Sequence, residues 1–84
     1  MYSDKITSRA ESELKRLGRP VKNRGVTAIL ALASDPRPPG CLKVRSAEGV
    51  WRIRVGDWRI GCEIDDCLQE VVVIRVGHRS EFYQ

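Results

Sequence analysis

The chain of 84 residues lacks the features that mark membrane, secreted and zinc-binding proteins. No apolar run approaches the roughly 18 residues that a membrane-spanning helix needs. The first residues also contain no apolar stretch of the kind found in a signal peptide. The three cysteines, Cys41, Cys62 and Cys67, are odd in number and form no CxxC pair. We therefore expect reduced thiols, no metal site and a cytoplasmic protein that does not bind a membrane. A Cys62–Cys67 disulfide and an incidental metal contact are the alternatives.

Lysine is also scarce, because 11 of the 15 basic residues are arginine. Arginine keeps its charge when partly buried, and its planar guanidinium group suits phosphate and carboxylate oxygens. With 42% hydrophobic and 31% charged residues, the composition is that of a folded protein rather than a disordered one. Since the sequence contains no repeat and no linker, we expect a single domain over residues 1–84.

The net charge of +4 is not spread evenly along the chain. Residues 37–59 contain six basic and two acidic side chains, whereas residues 60–84 contain two basic and five acidic ones. A basic excess confined to one segment is typical of a surface that binds a phosphate backbone. The basic residues of that segment are Arg37, Lys43, Arg45, Arg52, Arg54 and Arg59.

The first half of the chain predicts a short strand within residues 1–7 and then two amphipathic helices. The first helix is expected to start at Ser8, the N-cap of a capping box, and to end at Gly18 in a left-handed conformation. Pro20 is expected to be the first residue of the second helix. The apolar side chains that should face the core are Ala10, Leu14, Leu17, Val26, Ile29, Leu30 and Ala33.

The second half of the chain predicts three antiparallel strands at residues 50–55, 58–64 and 70–76. The two-residue loop Gly56-Asp57 between two alternating runs is a strong signal for a β-hairpin. The last strand is the most apolar and should lie at the centre of the sheet. This order indicates an α+β fold in which two N-terminal helices pack on a small antiparallel sheet.

The loop length of the hairpin determines which of its residues face each other. Arg54 should oppose Arg59, and Arg52 should oppose Gly61, which leaves open space beside the arginines. Like charges in direct opposition disfavour folding by roughly a few tenths to 1 kcal/mol per pair, and a bound anion would relieve the repulsion. A solvated face with splayed side chains is the alternative. The other, apolar face should carry Trp51, Ile53, Val55, Trp58, Ile60 and Cys62.

The C-terminal tail brings His78, Arg79 and Tyr83 close together in sequence. Gly77 would let the chain leave the last strand sharply, which would place these residues beyond the sheet. Taken alone, the histidine and the tyrosine are explained equally well as ordinary surface residues.

In the order and spacing of its motifs, the chain resembles the RelE branch of the RelE/ParE toxins, which belong to bacterial type II toxin–antitoxin systems. The resemblance runs from about residue 8 to the end and implies a short N-terminal strand, two helices and a three-strand meander. The N-terminal strand looks short for the family, as if shortened at its start. The motifs are Asp35-Pro36-Arg37-Pro38-Pro39-Gly40, Trp51-Arg52-Ile53-Arg54-Val55-Gly56-Asp57-Trp58-Arg59-Ile60, Glu63-Ile64-Asp65-Asp66 and Ile74-Arg75-Val76-Gly77-His78-Arg79 with Phe82-Tyr83.

The resemblance implies a ribosome-dependent endoribonuclease that cuts messenger RNA in the A site without a metal or a cofactor. The ribose 2′-OH would attack the adjacent phosphate and leave a 2′,3′-cyclic phosphate. By this likeness, Arg59 stabilises the pentavalent phosphate, Arg79 acts at the phosphate and leaving group, and Tyr83 stacks on the substrate. Arg52 and Arg54 occupy two basic positions that are often lysine in the family, and they stabilise charge because arginine does not readily release a proton.

His78 is the remaining candidate for proton transfer, because it sits where some relatives carry a basic residue or a histidine. The other basic residues of the first hairpin and the loop before it, Arg37, Lys43 and Arg45, are candidates for RNA binding.

Two other functions share this fold, and the fold alone does not choose between them. A ParE-like toxin would inhibit DNA gyrase without being an enzyme, and an inactive toxin would bind only its antitoxin and operator DNA. The expected partners are a cognate antitoxin, the ribosome with its messenger RNA, and operator DNA through the toxin–antitoxin complex. The antitoxin should be acidic and should cover the basic face or displace the tail.

Overall fold

In the computed structural model, which describes residues 1–82, two helices cover one face of a five-stranded sheet. The strand order across the sheet is β1-β5-β4-β3-β2. The predicted α+β class is therefore confirmed. The elements are β1 (Ser3–Ile6), α1 (Ser8–Lys15), α2 (Arg19–Ala31), β2 (Leu42–Lys43), β3 (Val50–Val55), β4 (Trp58–Asp65), β5 (Glu70–His78) and α3 (Arg79–Phe82).

Two strand pairings differ from the purely antiparallel, four-stranded sheet that was predicted. β1 pairs with β5 in parallel, with Ser3 opposite Glu70. A parallel pair needs a long connection, and the helices and three strands between β1 and β5 supply it. β2 pairs antiparallel with β3 at the other edge of the sheet. Because β2 has only two residues, its sequence contains no alternation that could have predicted it.

β3 and β4 form the predicted hairpin in the predicted register. Arg54 opposes Arg59, and Arg52 opposes Gly61. In the loop, Gly56 has a φ of +61° and Asp57 has no positive φ, which is the pattern of a type II′ turn. The side chains of Arg52, Arg54 and Arg59 therefore share one face of the sheet, and α1 and α2 cover the other face.

β5 lies inside the sheet between β1 and β4, as predicted, and it continues to His78. A bulge interrupts its pairing with β4, since Gly61 opposes Arg75 whereas the next residue, Cys62, opposes Val73. After the bulge, Arg75 shares the face of Gly61, and His78 shares the face of Trp58. The bulge thus determines which side chains of the C-terminal segment join the arginine face.

The core lies between the helices and the apolar face of the sheet. The buried residues on the sheet side include most of the predicted face, with Ile53, Ile60 and Cys62 among them. None of the helices within residues 1–82 is long and apolar enough to cross a membrane. The buried apolar residues are Ala10, Leu14, Ile29, Leu32, Ile53, Ile60, Cys62, Ile64, Val71, Val73 and Val76.

Three predicted details at the helix ends were wrong. Thr7 rather than Ser8 caps α1, because the Thr7 Oγ1 accepts a hydrogen bond from the Ala10 N–H at 3.2 Å. Gly18 has a φ of −62° and is the N-cap of α2, not a left-handed residue that ends α1. Pro20 is the second residue of α2. The N–H groups of the first turn have no partner within a helix, so proline breaks no helical hydrogen bond there.

The apolar face of α2 is shifted from the predicted one. Leu30 is 66% exposed, whereas Leu32 is fully buried. The helix ends at Ala31, and the Leu32 N–H donates to the carbonyl of Ile29 as well as that of Leu30. This tightened last turn carries Leu32 into the core, which helical spacing alone did not indicate.

Candidate active site

Three arginines of the β3–β4 hairpin line one surface cavity of about 220 Å³, together with Gly40 and Leu42. We call this the arginine cavity. Strand alternation brings Arg52 and Arg54 to the same face, and Arg59 faces Arg54 from the neighbouring strand. Leu42 opposes Arg52 on β2 and closes one side. The lining contains no carboxylate, so the cavity favours an anion.

Arg59 is held in place by its own turn. Its Nη1 donates hydrogen bonds to the Gly56 and Trp58 carbonyl oxygens, both at 2.9 Å. A guanidinium group has five N–H donors, so Nε and Nη2 still have donors for an incoming oxygen. Arg54 is exposed and makes no hydrogen bond or ion pair with any residue in the described range. The cavity therefore combines a fixed guanidinium group with one that is open to solvent.

Arg52 lies beside an aromatic ring from the tail. Its guanidinium carbon is 5.9 Å from the centroid of the Phe82 ring. The space that Gly61 was expected to leave open is filled by this ring, because a Cβ at Gly61 would lie 3.6 Å from a ring carbon. The short helix α3 thus folds back over the arginine face.

Arg75 belongs to the same face, although the sequence did not single it out. It opposes Gly61, and its guanidinium carbon lies 5.1 Å from the Phe82 centroid. Its Nη2 is 3.5 Å from Glu13 and 3.7 Å from Glu81. With two carboxylates beside it, Arg75 joins α1, β5 and α3. A correct placement of the β5 bulge would have been needed to find this residue from the sequence.

Arg79 begins α3 next to the hairpin turn. Its backbone N–H donates to the Asp57 carbonyl oxygen at 2.8 Å, and its side chain is exposed. The turn therefore brings the start of the tail to the end of the hairpin that carries Arg54 and Arg59. Tyr83, the other tail residue expected at the site, lies outside the described residues.

His78 is not brought into the arginine cavity. It opposes Trp58 on the other face of the sheet, where the two rings meet edge to face with centroids 5.5 Å apart. Its Nδ1 accepts a hydrogen bond from the Ser80 N–H at 3.2 Å and lies 3.0 Å from the Ser80 hydroxyl. In the neutral ring, this arrangement places the proton on Nε2.

Arg37, the third candidate for RNA binding, has partners within the protein. It forms two hydrogen bonds with Asp66, at 2.9 and 3.0 Å, and lies 4.8 Å from the centroid of Trp51. The Tyr2 hydroxyl donates to the same carboxylate at 2.6 Å. These contacts join β1, the loop before β2 and the β4–β5 turn. The charge of Arg37 is thus paired with Asp66 in this structure, and its binding of RNA stays a prediction.

Lys43 and Arg45 remain exposed at the β2 edge of the sheet. Lys43 opposes Trp51, so it points away from the face of Arg52. The two residues line a shallow surface depression that also includes Leu42 and Arg52. They lie next to the arginine cavity and do not line it.

The cysteines and carboxylates of residues 1–82 form no group of three or more that could hold a metal ion. Cys41, Cys62 and Cys67 are free thiols. Burial, with a smaller contribution from Asp4, raises the pKa of the Cys62 thiol to about 12. Cys62 therefore stays protonated and packs as part of the core.

A protein-family model described as the ParE toxin of the type II toxin–antitoxin system parDE matches residues 5–83. The chain belongs to this toxin family. A search of curated protein sequences found no match.

The fold of the toxin is similar to that of RelE proteins in solved structures. It is 29% identical to a chain of the RelBE2 toxin–antitoxin complex from Mycobacterium tuberculosis, covering 93% of this chain and 98% of that one, with a TM-score of 0.76. It is 26% identical to the isolated RelE toxin of E. coli, covering 99% and 92%, with a TM-score of 0.79. A chain of the Pyrococcus horikoshii RelE–RelB complex is only 19% identical, covering 93% and 94%, and shares the fold with a TM-score of 0.82.

These findings confirm the RelE/ParE resemblance that the motifs predicted. They identify the chain as a toxin of type II toxin–antitoxin systems. The family match carries the ParE description whereas the structural matches are to RelE, so activity has to be argued from the site.

Proposed function

We propose that the toxin is an endoribonuclease that cuts messenger RNA in the ribosomal A site. The observation that carries this proposal is the arginine cavity, in which three guanidinium groups face one space without a lining carboxylate. An RNA phosphate is the anion that suits it. The likeness to RelE structures above 25% identity supports the same reading.

The proposed reaction is an internal transfer of the phosphoryl group. The 2′-oxygen of one nucleotide forms a bond to the phosphorus on its 3′ side, and the bond from that phosphorus to the next 5′-oxygen breaks. The 2′-hydroxyl loses its proton, and the departing 5′-oxygen gains one. The products are a 2′,3′-cyclic phosphate end and a 5′-hydroxyl end.

The arginines would act by stabilising the charge that develops during attack. Negative charge builds on the phosphoryl oxygens, and donors that are already in place stabilise it without reorganisation. Arg59, fixed by its bonds to the turn, is the residue proposed to bind the pentavalent phosphate. Arg52 and Arg54 would bind the same phosphate, and Arg79 would act at the phosphate and leaving group from the end of the hairpin.

The described residues provide fewer suitable groups for proton transfer than for the binding of the phosphate. The arginines do not release protons readily near neutral pH. We keep His78 as the candidate, although its ring lies on the Trp58 face and its Nδ1 accepts a hydrogen bond from the Ser80 N–H. Full cleavage by His78→Ala would exclude this role. Tyr83 keeps its proposed role in stacking on the substrate.

The proposed partners follow from the same surface and from the relatives. Lys43 and Arg45 would contact RNA next to the cavity, since both are exposed and basic. The matched RelE proteins include toxin–antitoxin complexes, so we propose a cognate acidic antitoxin that covers the basic face or displaces the tail. Binding of operator DNA through that complex and a cytoplasmic location belong to the same proposal.

Inhibition of DNA gyrase is the second candidate, because the matching family model is described as a ParE toxin. This activity would not need the cavity for catalysis. A third possibility is a toxin that retains only the binding of antitoxin and operator DNA, and it would show neither activity.

One experiment separates these functions. The toxin is added to a cell-free translation reaction, and the message is mapped by primer extension, while gyrase supercoiling is measured in parallel. Our proposal predicts cuts at fixed codon positions that disappear in Arg79→Ala, with supercoiling unchanged. An intact message with blocked supercoiling would establish the gyrase reading instead, and an intact message with normal supercoiling would leave only the binding role.

A further inference from the structure

The Phe82 ring occupies a position on the arginine face that the rest of the fold is shaped to receive. Gly61 and Gly77 lie on adjacent strands beneath it, and their pairing partners are Arg52 and Arg59. A Cβ at Gly77 would lie 3.1 Å from one ring carbon, and a Cβ at Gly61 would lie 3.6 Å from another. The ring therefore needs the missing Cβ of Gly77, whereas a Cβ at Gly61 would be in ordinary contact with it.

The ring contacts two guanidinium groups with different surroundings. Arg75 is 5.1 Å from the ring centroid, is 31% exposed as a side chain, and lies near Glu13 and Glu81. Arg52 is 5.9 Å from the centroid and lines the arginine cavity. Both distances fall within the range in which the negative face of an aromatic ring attracts a cation.

Arg75 is in turn anchored to the body of the protein. The Glu13 carboxylate that it approaches also accepts a hydrogen bond from the Val76 N–H, at 2.8 Å, and so is fixed between α1 and β5. Arg75 is therefore held beside the ring by the carboxylates of Glu13 and Glu81, which lie 3.5 and 3.7 Å from its Nη2. Its paired charge also makes it a poor phosphate ligand compared with Arg54 and Arg59.

We propose that Phe82 is a positioning residue, held by Arg75, that keeps the Arg52 guanidinium group directed along the arginine cavity. This inference rests on the proposed function for its effect on RNA, but the contact between ring and cation can be tested without it. The role needs the aromatic face, which attracts the cation, and not only the apolar volume of the side chain.

The test compares two substitutions at one position. Phe82→Leu keeps apolar bulk over the two glycines but removes the aromatic face, whereas Phe82→Tyr keeps that face. The probe is an RNA oligonucleotide with 2′-O-methyl groups throughout, which lacks the attacking hydroxyl and is not cleaved. Affinity is measured by fluorescence anisotropy at a fixed salt concentration, because the affinity of a basic site depends on salt. Thermal unfolding of each variant is measured alongside.

We expect Phe82→Leu to weaken binding by about two- to fivefold, and Phe82→Tyr to bind like the wild type. A double-mutant cycle adds the residue-level control. The effect of Phe82→Leu should vanish in an Arg52→Ala background and persist in an Arg54→Ala background. The proposal would be overturned if Phe82→Leu and Phe82→Tyr lost the same affinity for the RNA. It would also be overturned if the effect of Phe82→Leu were the same in the Arg52→Ala and Arg54→Ala backgrounds.

A spectroscopic measurement tests the contact independently of RNA. The Nε–H signal of Arg52 is followed by NMR, and the neighbouring ring is expected to shift it. The shift should be lost in Phe82→Leu and kept in Phe82→Tyr. If the wild type neither bound nor cut RNA, the proposed function would fail and this signal would still decide the role of the ring. The proposed role of Phe82 is overturned if the Arg52 Nε–H signal does not change in Phe82→Leu.

Discussion

Arg54 and Arg59 oppose each other directly across the β3–β4 hairpin and line the same cavity. This arrangement does not help the hairpin to fold, because like charges in direct opposition repel each other. Arg59 is nevertheless fixed by hydrogen bonds from its Nη1 to Gly56 and Trp58. A pair of cations held together against their repulsion is expected where an anion has to be bound, and the remaining features of the site are consistent with that purpose.

The opposed pair predicts a separation of stability from activity. Arg54→Thr removes the repulsion and places a residue that favours strands in β3. The free energy of unfolding should stay the same or rise by up to about 1 kcal/mol, while cleavage of the message falls. Chemical denaturation measures the first and primer extension the second. If the free energy of unfolding of Arg54→Thr instead fell by more than about 1 kcal/mol while the variant still cut normally, Arg54 would serve the fold rather than the reaction.

The two glycines beneath Phe82 predict different responses to the same substitution. A Cβ at Gly77 would lie 3.0 Å from a Glu81 oxygen and 3.1 Å from a Phe82 carbon, which is closer than ordinary contact. At Gly61 the nearest approach is 3.5 Å, to the Cβ of Arg75, which is ordinary contact. Neither glycine has a positive φ, so the backbone accepts alanine at both positions.

Gly77→Ala should therefore displace α3 and reduce cleavage, whereas Gly61→Ala should retain it. Both variants should unfold at temperatures close to that of the wild type, because replacing glycine by alanine lowers the conformational entropy of the unfolded chain and offsets the closer contact. Measuring cleavage and thermal unfolding for the pair checks this. If Gly61→Ala lost as much activity as Gly77→Ala, contact with the tail would not be the cause.

The contact between Asp66, Arg37 and Tyr2 predicts a loss of stability in acid. The hydrogen bonds from Arg37, and then that from Tyr2, hold the pKa of the Asp66 carboxyl below its usual range. The ionised form therefore stabilises the folded state above the ordinary pKa of 3.8, and this contribution is lost as the pH falls through the lowered value. Asp66→Asn should lower the urea midpoint at pH 7, and the difference from wild type should shrink below about pH 4. A difference independent of pH would argue against the ion pair.

Asp4 predicts the opposite dependence. Burial raises the pKa of its carboxyl, and its Oδ1 is buried without a hydrogen-bond partner in the part of the chain that the structure describes. The protonated form is favoured by folding, so stability is lost as the pH rises through the raised pKa. Asp4→Asn should unfold at a higher temperature than the wild type at pH 7, and at pH 3 this advantage should disappear. Asp57→Asn, which removes the same charge from the exposed turn, is the control.

The hairpin and its arginine face could be predicted because they depend on local signals. Loop length and alternation determine a register by themselves, and Gly56-Asp57 provided the loop. The parts that could not be predicted depend on contacts distant in sequence. The bulge that places Arg75 beside Gly61, and the ring of Phe82 above both, follow from how β5 and α3 pack on the finished sheet. The pairing of Arg37 could not be predicted for the same reason, since its partner Asp66 is 29 residues away.

The proposed role of the arginine cavity is tested most directly by the yield of codon-positioned cuts when one of its arginines is removed. Arg59→Ala is compared with Arg19→Ala, which removes the same charge from the exposed start of α2, in a cell-free translation reaction mapped by primer extension. We predict that Arg59→Ala lowers the rate of cleavage by about 100- to 1000-fold, as expected for loss of a donor that stabilises developing charge, while Arg19→Ala cuts like the wild type. Cleavage by Arg59→Ala at the wild-type rate, in a protein that is folded, would contradict it.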